Sequence, residues 1–257
     1  MHRFYLPDGI PADGPVQFPR DIARQMSRVL RMREGEKVGV FDGSGNEWTI
    51  ELDNVASRTA AGHIVDVTRP STEPAVDITL YQSLIDAAQF ELVLQKGVEL
   101  GVKRFVPLLT ERVSGSGSTG ASEKRQARWA RITQEAAEQS GRVFVPGVTA
   151  PVELGAAFGV PPEGRFIVPW EGESGLSLRD ALKEPVTDSD DIVSIVIGPK
   201  GGLTEVEIEF LREKGALPVT LGSRILRAET AAIATVSAVL YESGDWAFPP
   251  DPAAPGN

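Results

Sequence analysis

Ile197-Gly198-Pro199-Lys200-Gly201-Gly202 directly follows an apolar run at 192–197, and a second glycine-bearing stretch, Leu221-Gly222-Ser223-Arg224-Ile225-Leu226-Arg227-Ala228-Glu229-Thr230, comes about twenty residues later. Each stretch has an apolar strand pattern, a glycine turn and a helical pattern in that order. This order is typical of α/β proteins, which bind ligands at the carboxyl ends of their parallel strands. Glycine lets a ligand approach the backbone closely, because it has no Cβ. We therefore expect the two loops to lie on neighbouring strands and to form one pocket.

The rest of residues 77–242 alternates between short apolar runs and longer segments with helical spacing. The predicted strands are 78–83, 105–109, 166–168, 192–197 and 218–221, and the predicted helices are 87–100, 122–139, 204–214 and 229–242. Thr204 and Glu207 have the spacing of a capping box at the start of the third helix. Strands that alternate with helices predict a parallel sheet covered on both faces.

The first part of the chain has a different pattern. Residues 1–70 contain short strand-like runs at 37–41, 48–52 and 62–67, with one helical segment at 18–33. A proline-bearing polar segment at 71–75 is predicted to be a linker, because proline extends neither strand nor helix. The second domain is then expected at 76–244, and the proline-rich residues 245–257 are expected to be a disordered tail.

Composition excludes several kinds of site. The chain of 257 residues has no cysteine, which rules out disulfides and zinc–thiolate sites, and only two histidines, which makes a histidine metal site improbable. No apolar run approaches the roughly 20 residues of a membrane span, and the N-terminus has no signal-peptide pattern. We therefore expect a cytoplasmic protein that uses no metal and no membrane.

The net charge of −10 argues against a nucleic-acid-binding protein, but the charge is unevenly distributed. Residues 20–37 hold six Lys or Arg against three Asp or Glu, and a second basic group lies at 124–131. Phosphate binding needs a local basic patch, but it does not need a positive net charge of the whole protein. Two interpretations stay open on charge alone: a phosphate-binding surface, or a solvated helix face.

A glycine fingerprint at 115–120 matches G-x-G-x-x-G, the pattern that dinucleotide-binding folds place between a strand and a helix. Here about five residues separate the glycines from the preceding strand, whereas the dinucleotide fingerprint has almost no spacer. The glycine and serine composition instead favours a mobile loop.

Further motifs occur in a fixed order around the two glycine loops. They are Arg3-Phe4-Tyr5, Arg28-Val29-Leu30-Arg31, Leu94-Gln95-Lys96-Gly97-Val98-Glu99-Leu100-Gly101, Glu111-Arg112, Arg128-Trp129 and Glu135-Ala136-Ala137-Glu138-Gln139-Ser140-Gly141-Arg142. Over nearly the whole chain, this order resembles the SPOUT-class (trefoil-knot) RNA methyltransferases. Within that class it resembles the family that methylates N3 of a uridine in small-subunit (16S) ribosomal RNA. Two positions depart from the family pattern: Lys200 replaces a glutamate, and Ala228 replaces the usual threonine.

The resemblance implies a fold, a reaction and partners. The fold would be a C-terminal parallel α/β sheet with helices on both faces and a deep trefoil knot, preceded by a small β-rich PUA-like barrel that binds RNA. The reaction would be metal-independent methyl transfer from S-adenosylmethionine, which leaves S-adenosylhomocysteine. The enzyme would be a homodimer joined through its last helix. Methylation of another rRNA or tRNA nucleotide, and a catalytically silent RNA-binding or ribosome-assembly factor, stay open as alternatives.

The resemblance also assigns residues to the cofactor and to RNA. The cofactor would be held by strand ends and loops, at Val168, Pro169, Ile197, Gly198, Pro199, Gly201, Gly202, Leu221, Gly222, Ile225, Leu226 and Thr230. RNA phosphates would be contacted by basic residues of both domains, at Arg3, Arg28, Arg31, Lys124, Arg125 and Arg128.

Arg224, Arg227 and Glu229 are the candidates for the chemistry. The N3 atom of uracil carries a proton and is a poor nucleophile until that proton leaves, so a base and stabilisation of negative charge on O2 and O4 are needed. An arginine fork suits both the uracil oxygens and the phosphates, and Glu229 would accept the proton directly or through water. The alternative for Glu229 is structural, since an acid in the first turn of a helix offsets the macrodipole.

Overall fold

The computed structural model describes residues 1–11, 14–113, 122–183 and 192–246. The chain divides into two compact units, one of Met1–Glu73 with Arg131–Pro146 and one of Pro74–Ala130 with Gly147–Asn257. The glycine fingerprint at 115–120 and residues 247–257 of the expected tail lie outside the described residues. Within the described ranges, no helix has the length and apolar character needed to cross a membrane.

The first unit is built on a five-stranded sheet, as its strand-like runs predict. Its strands are β1 (Arg3–Tyr5), β2 (Val16–Phe18), β3 (Lys37–Phe41), β4 (Glu47–Val55) and β5 (Ala60–Thr68). Their order is β1-β3-β4-β5-β2, in which β1 and β3 are parallel and the other neighbours antiparallel. Phe4, Val38 and Ile50 are buried in the core of this unit, which is the β-rich N-terminal unit expected from the sequence.

One helical segment interrupts these strands, and it differs from the single helix predicted at 18–33. A short helix α1 (Arg20–Arg24) continues as a π-helical segment, Gln25–Leu30, which ends at Arg31 with a φ of 54°. A π turn holds an extra residue and widens the helix. The segment buries Met26 completely and leaves Val29 exposed at 73%. Apolar spacing does not reveal this change of hydrogen bonding.

The second unit contains a sheet of seven parallel strands. They are β6 (Asp77–Ser83), β7 (Arg104–Leu109), β8 (Gly147–Val148), β9 (Val152–Glu153), β10 (Arg165–Pro169), β11 (Ile192–Ile197) and β12 (Leu217–Val219). Their order is β12-β10-β11-β6-β7-β8, and β9 also pairs with β7. Each of these pairings is parallel. Five consecutive residues of β11 are buried, so both faces of this strand are covered, as its largely apolar run predicts.

Helices alternate with these strands. They are α2 (Ala87–Leu100), α3 (Glu123–Ser140), α4 (Leu154–Ala157), α5 (Leu178–Lys183), α6 (Glu205–Glu213) and α7 (Ala228–Glu242). The predicted bounds of α2 are confirmed, and those of α7 differ by one residue. The capping box is confirmed: the Glu207 amide donates to Thr204 Oγ1 at 3.2 Å, and the Thr204 amide donates to Glu207 Oε2 at 2.8 Å.

The C-terminal part of α3, from residue 131, belongs to the first unit and is anchored there by Arg3. The guanidinium of Arg3 donates to both carboxylate oxygens of Glu47, at 3.0 and 2.9 Å, and to the main-chain oxygens of Ala137, Glu138 and Arg142. These bonds use all five of its N–H donors. The Glu138 carboxylate accepts hydrogen bonds from the Tyr5 amide at 3.1 Å and from Gln134 at 3.0 Å.

Glu138 makes the stability of this unit depend on pH. Burial raises the pKa of the Glu138 carboxyl above its ordinary value, although hydrogen bonds from Gln134 and Tyr5 oppose the shift. A raised pKa in the folded state means that stability is lost as pH rises through that pKa. We expect Glu138→Gln to remove this loss, because the amide oxygen still accepts both bonds without ionising.

The stability of Glu138→Gln relative to the wild type should therefore increase between about pH 4 and pH 8. Urea unfolding of both proteins across that range measures it. Glu123→Gln is the control, since Glu123 is an exposed acid on the same helix and is not among the groups that shift the pKa of Glu138. A difference between Glu138→Gln and the wild type that does not change with pH would contradict the assignment.

Candidate active site

Three loops meet at one edge of the seven-stranded sheet. Strand β10 lies between β11 and β12 and is parallel to both. The loops that follow these three strands therefore leave the sheet at the same edge. The two glycine loops were expected on directly neighbouring strands, but β10 separates them. Its own loop, beginning at Trp170, is the third wall of the site.

The three loops enclose a cleft made of two adjoining cavities of about 500 Å³ each. The first is lined by Gln89, Pro169, Glu171, Ile197, Gly198, Pro199, Lys200, Gly202, Leu203, Ile225, Leu226, Arg227, Ala228, Glu229 and Ala231. The second is lined by Pro169, Trp170, Glu171, Glu173, Ser174, Thr220, Leu221, Gly222, Ser223, Arg224, Ile225, Leu226 and Ala231. Each volume is in the range of small-molecule sites.

The first glycine loop is held from two sides. Arg112 donates from Nη1 to the main-chain oxygen of Gly201 at 2.9 Å. Glu207, beyond the capping box, accepts the amide of Glu111 at 2.8 Å through Oε1. Glu111 and Arg112 come shortly after β7, so this strand also contributes to the shape of the loop. The side chain of Lys200 is about half exposed and forms an ion pair with Asp86.

Position 202 requires a glycine because of its backbone conformation and because of the nearby Glu171 side chain. Its φ is +71°, in the left-handed region that favours glycine. A Cβ at this position would lie 2.2 Å from Oε1 of Glu171. The missing side chain therefore makes the space in which the Glu171 carboxylate sits.

The second glycine loop turns at Gly222, whose φ is +101°. The Gly222 amide donates to Thr220 Oγ1 at 3.2 Å, which closes the turn just after β12. Ile225 is 88% exposed and lines both cavities, an unusual exposure for a large apolar side chain. Such a side chain offers an apolar wall to a ligand in the cleft.

The candidates for the chemistry lie on this loop and at the start of α7. Arg224 lines the second cavity, whereas Arg227 and Glu229 line the first. Among the described residues, none of the three forms an ion pair or a side-chain hydrogen bond, so their charges are available to a ligand. Glu229 lies in the first turn of α7, where its negative charge also offsets the helix macrodipole, the structural alternative given above.

The structure brings most of the expected cofactor residues to the cleft. Nine of them line it: Pro169, Ile197, Gly198, Pro199, Gly202, Leu221, Gly222, Ile225 and Leu226. Three do not line either cavity. Val168 is completely buried in the core, Gly201 contacts Arg112, and Thr230 is exposed on α7.

Sequence reasoning missed the loop after β10 and the start of α2. Trp170, Glu171 and Glu173 follow β10 directly, and Gln89 lies in the first turn of α2. The run at 166–168 was recognised as a strand, and the position after its end was a usable signal. It was used only as far as Pro169, because the loop that follows has no glycine fingerprint.

The expected RNA-contacting residues lie in both units. Arg28 and Arg31 are exposed in the first unit, whereas the contacts of Arg3 described above favour a structural role for it. In the second unit Lys124 is exposed, the guanidinium of Arg125 lies 5.5 Å from the Trp129 ring centroid, and Arg128 pairs with Glu91. Within the described ranges, no group of three or more metal-ligating side chains is present.

Comparison with known proteins agrees with this geometry. A family model described as an RNA methyltransferase domain matches residues 72–240, and one described as an RNA methyltransferase PUA domain matches residues 26–59. The Ribosomal RNA small subunit methyltransferase E of Synechocystis sp. is 35% identical over 84% of this chain and 70% of its own length. The protein of that name from Bacillus subtilis is 31% identical over 84% of this chain and 85% of its own length.

Solved structures are similar over almost the full length. The ribosomal RNA small subunit methyltransferase E of Neisseria gonorrhoeae, crystallised bound to S-adenosyl methionine, has a TM-score of 0.84 and 34% identity, covering 94% of this chain and 97% of that one. A Legionella pneumophila methyltransferase in complex with the same cofactor has a TM-score of 0.82 and 29% identity, covering 93% and 96%. The chain therefore belongs to the RNA methyltransferase family that contains the small-subunit ribosomal RNA methyltransferases E.

Proposed function

We propose that the cleft binds S-adenosylmethionine and that the protein methylates N3 of a uridine in small-subunit (16S) ribosomal RNA. The observation that carries the proposal is the single cleft, which joins both glycine loops to Arg224, Arg227 and Glu229. The names of the relatives and the cofactor bound in similar structures support the substrate class and the cofactor.

The residues of the cleft fit this cofactor. Leu221, Ile225 and Leu226 offer the apolar walls that an adenine ring needs, while Gly198 and Gly222 leave the backbone accessible for hydrogen bonds. When bound, the cofactor supplies a methyl group on a positively charged sulfur and leaves as S-adenosylhomocysteine. Residues of the protein must then hold the base, take up its proton and stabilise its charge.

Glu229 and the two arginines divide these tasks. The N3–H bond of uracil breaks as the Glu229 carboxylate accepts the proton, and N3 gains the electron pair that forms the new N–C bond. The negative charge that develops on O2 and O4 is stabilised by the guanidinium groups of Arg224 and Arg227, which have no carboxylate partner among the described residues.

Basic side chains of each unit support the RNA. We assign phosphate contacts to Arg28 and Arg31 in the first unit and to Lys124, Arg125 and Arg128 in the second, where Arg128 has to exchange its solvent-exposed bond to Glu91 for one to a phosphate. We leave out Arg3 because all five of its donors are used within the first unit. The acidic chain as a whole would not attract RNA, so these local groups must supply the attraction. The knot and the homodimer through α7 stay predictions of the resemblance, and the cytoplasmic location stays a prediction from composition. Sedimentation equilibrium would decide whether the protein is a dimer.

The first test is methyl transfer from labelled cofactor to small ribosomal subunits isolated from cells that lack the protein. Nucleoside mass spectrometry of the RNA should show 3-methyluridine as the labelled product. Label on another nucleoside would support methyl transfer to RNA but would contradict N3 of uridine as the target atom. Bound cofactor without transfer would favour a silent RNA-binding factor.

Gly202→Ala tests the fit of the cofactor. The positive φ of Gly202 costs alanine about 1–2 kcal/mol, and the new Cβ displaces the Glu171 carboxylate. Gly215→Ala is the matched control, because Gly215 has a φ of +88° and open space around it, outside both cavities. We expect both variants to lose similar stability and only Gly202→Ala to lose affinity for S-adenosylmethionine, measured by calorimetry. Equal affinities in the two variants would contradict the role of this loop.

Arg227→Ala tests the chemistry. Arg227 precedes α7 without a capping hydrogen bond from its side chain, so the variant should keep its fold. We expect turnover to fall roughly 10²–10³-fold, the range found when one donor to a developing negative charge is removed. Arg179→Ala is the control, since Arg179 is exposed on α5 outside the cleft. Full activity of Arg227→Ala would exclude this arginine from the mechanism.

A further inference from the structure

Glu171 occupies the junction of the cleft. It follows β10 by two residues and lines both cavities, and its Oε1 fills the space left by Gly202. The Glu171 carboxylate can occupy this space only because residue 202 is a glycine, so the two residues constrain each other. The sequence positions of the two residues are 31 apart, so only the fold brings them together.

Within the described residues, the carboxylate of Glu171 has no partner, like that of Glu229 but in contrast to two other acids nearby. Glu173 pairs with Arg212 at 3.1 Å, and Asp86 pairs with Lys200. Glu171 forms no ion pair and no side-chain hydrogen bond with any residue that the structure describes. No cation of the cleft neutralises Glu171, since Lys200 pairs with Asp86 and neither arginine forms an ion pair with a described residue.

A second acceptor without a donor lines the first cavity. The side-chain oxygen of Gln89 is buried and has no hydrogen-bond partner among the described residues. A buried acceptor without a donor is costly, so such an atom at a binding site indicates a ligand that donates. The first cavity therefore presents an exposed carboxylate that no described residue neutralises and a buried amide oxygen without a donor.

We propose that Glu171 binds the α-ammonium group of S-adenosylmethionine, with Gln89 as a second acceptor. This inference rests on the proposed function. The ammonium group carries a positive charge and three N–H donors, which match a carboxylate and an amide oxygen. The sulfonium group is also positive but has no N–H, so it cannot satisfy these acceptors. Glu171 thus selects for the amino-acid part of the cofactor.

The test compares three ligands on one variant. S-Adenosylmethionine has the ammonium and the sulfonium, S-adenosylhomocysteine has only the ammonium, and 5′-methylthioadenosine has neither. We expect Glu171→Gln to weaken the first two about tenfold, the loss of one charge-assisted hydrogen bond, and to leave the third unchanged. Gln89→Leu should weaken the same two ligands. Glu213→Gln is the control, because Glu213 is exposed on α6 outside the cleft.

Calorimetric affinities and thermal melting of each variant separate the outcomes. Weaker binding of S-adenosylmethionine alone would assign Glu171 to the sulfonium, and equal weakening of all three ligands would indicate a merely structural role. Lost turnover with unchanged affinities would make Glu171 a base. Each of these results overturns the inference. Failure of the wild type to bind S-adenosylmethionine would instead overturn the proposed function, and it is seen before any variant is made.

Discussion

The parallel pairing of β12, β10 and β11 is the constraint on which the site depends. Because β10 hydrogen-bonds to a parallel strand on each side, three chain segments end at one edge within two strand spacings of one another. Residues of the loops after these strands line the same cleft. The packing of β11 between β10 and β6 then fixes where the first glycine loop begins. Changing the order of these strands would disperse the cleft even if every loop residue were kept.

Unpaired polar atoms concentrate at the same edge of the sheet. In the described part of the chain, the buried side-chain atoms without a partner are Gln82 Oε1, Ser83 Oγ, Gln89 Oε1 and Thr110 Oγ1. They lie at the end of β6, in the first turn of α2 and just after β7. Elsewhere the fold satisfies its buried polar groups, as at Glu207, which is bonded to three neighbouring groups. Of these four atoms only Gln89 Oε1 belongs to a residue that lines the cleft, so it is the one that a ligand there could satisfy.

Charge is organised locally in this acidic protein. Most acids near the basic residues are already engaged: Glu47 holds Arg3, Glu91 holds Arg128, and Asp86 holds Lys200. The two arginines of the cleft have no such partner among the described residues, so their field acts on the cleft. A negative net charge and a nucleic-acid substrate are compatible on this basis, because short-range contacts outweigh a screened long-range repulsion.

The sequence by itself determined the class of fold, the glycine loops and the family. Apolar runs, capping signals and glycine turns are local patterns, and they located α2, α7, β11 and the Thr204–Glu207 box closely. Tertiary structure decided the rest. The insertion of β10 between the two loop-bearing strands, the contact of Glu171 with Gly202, and the use of all five Arg3 donors within the first unit join residues distant in sequence. The local spacing of apolar residues does not predict these contacts, because they depend on how distant segments of the chain are arranged in the fold.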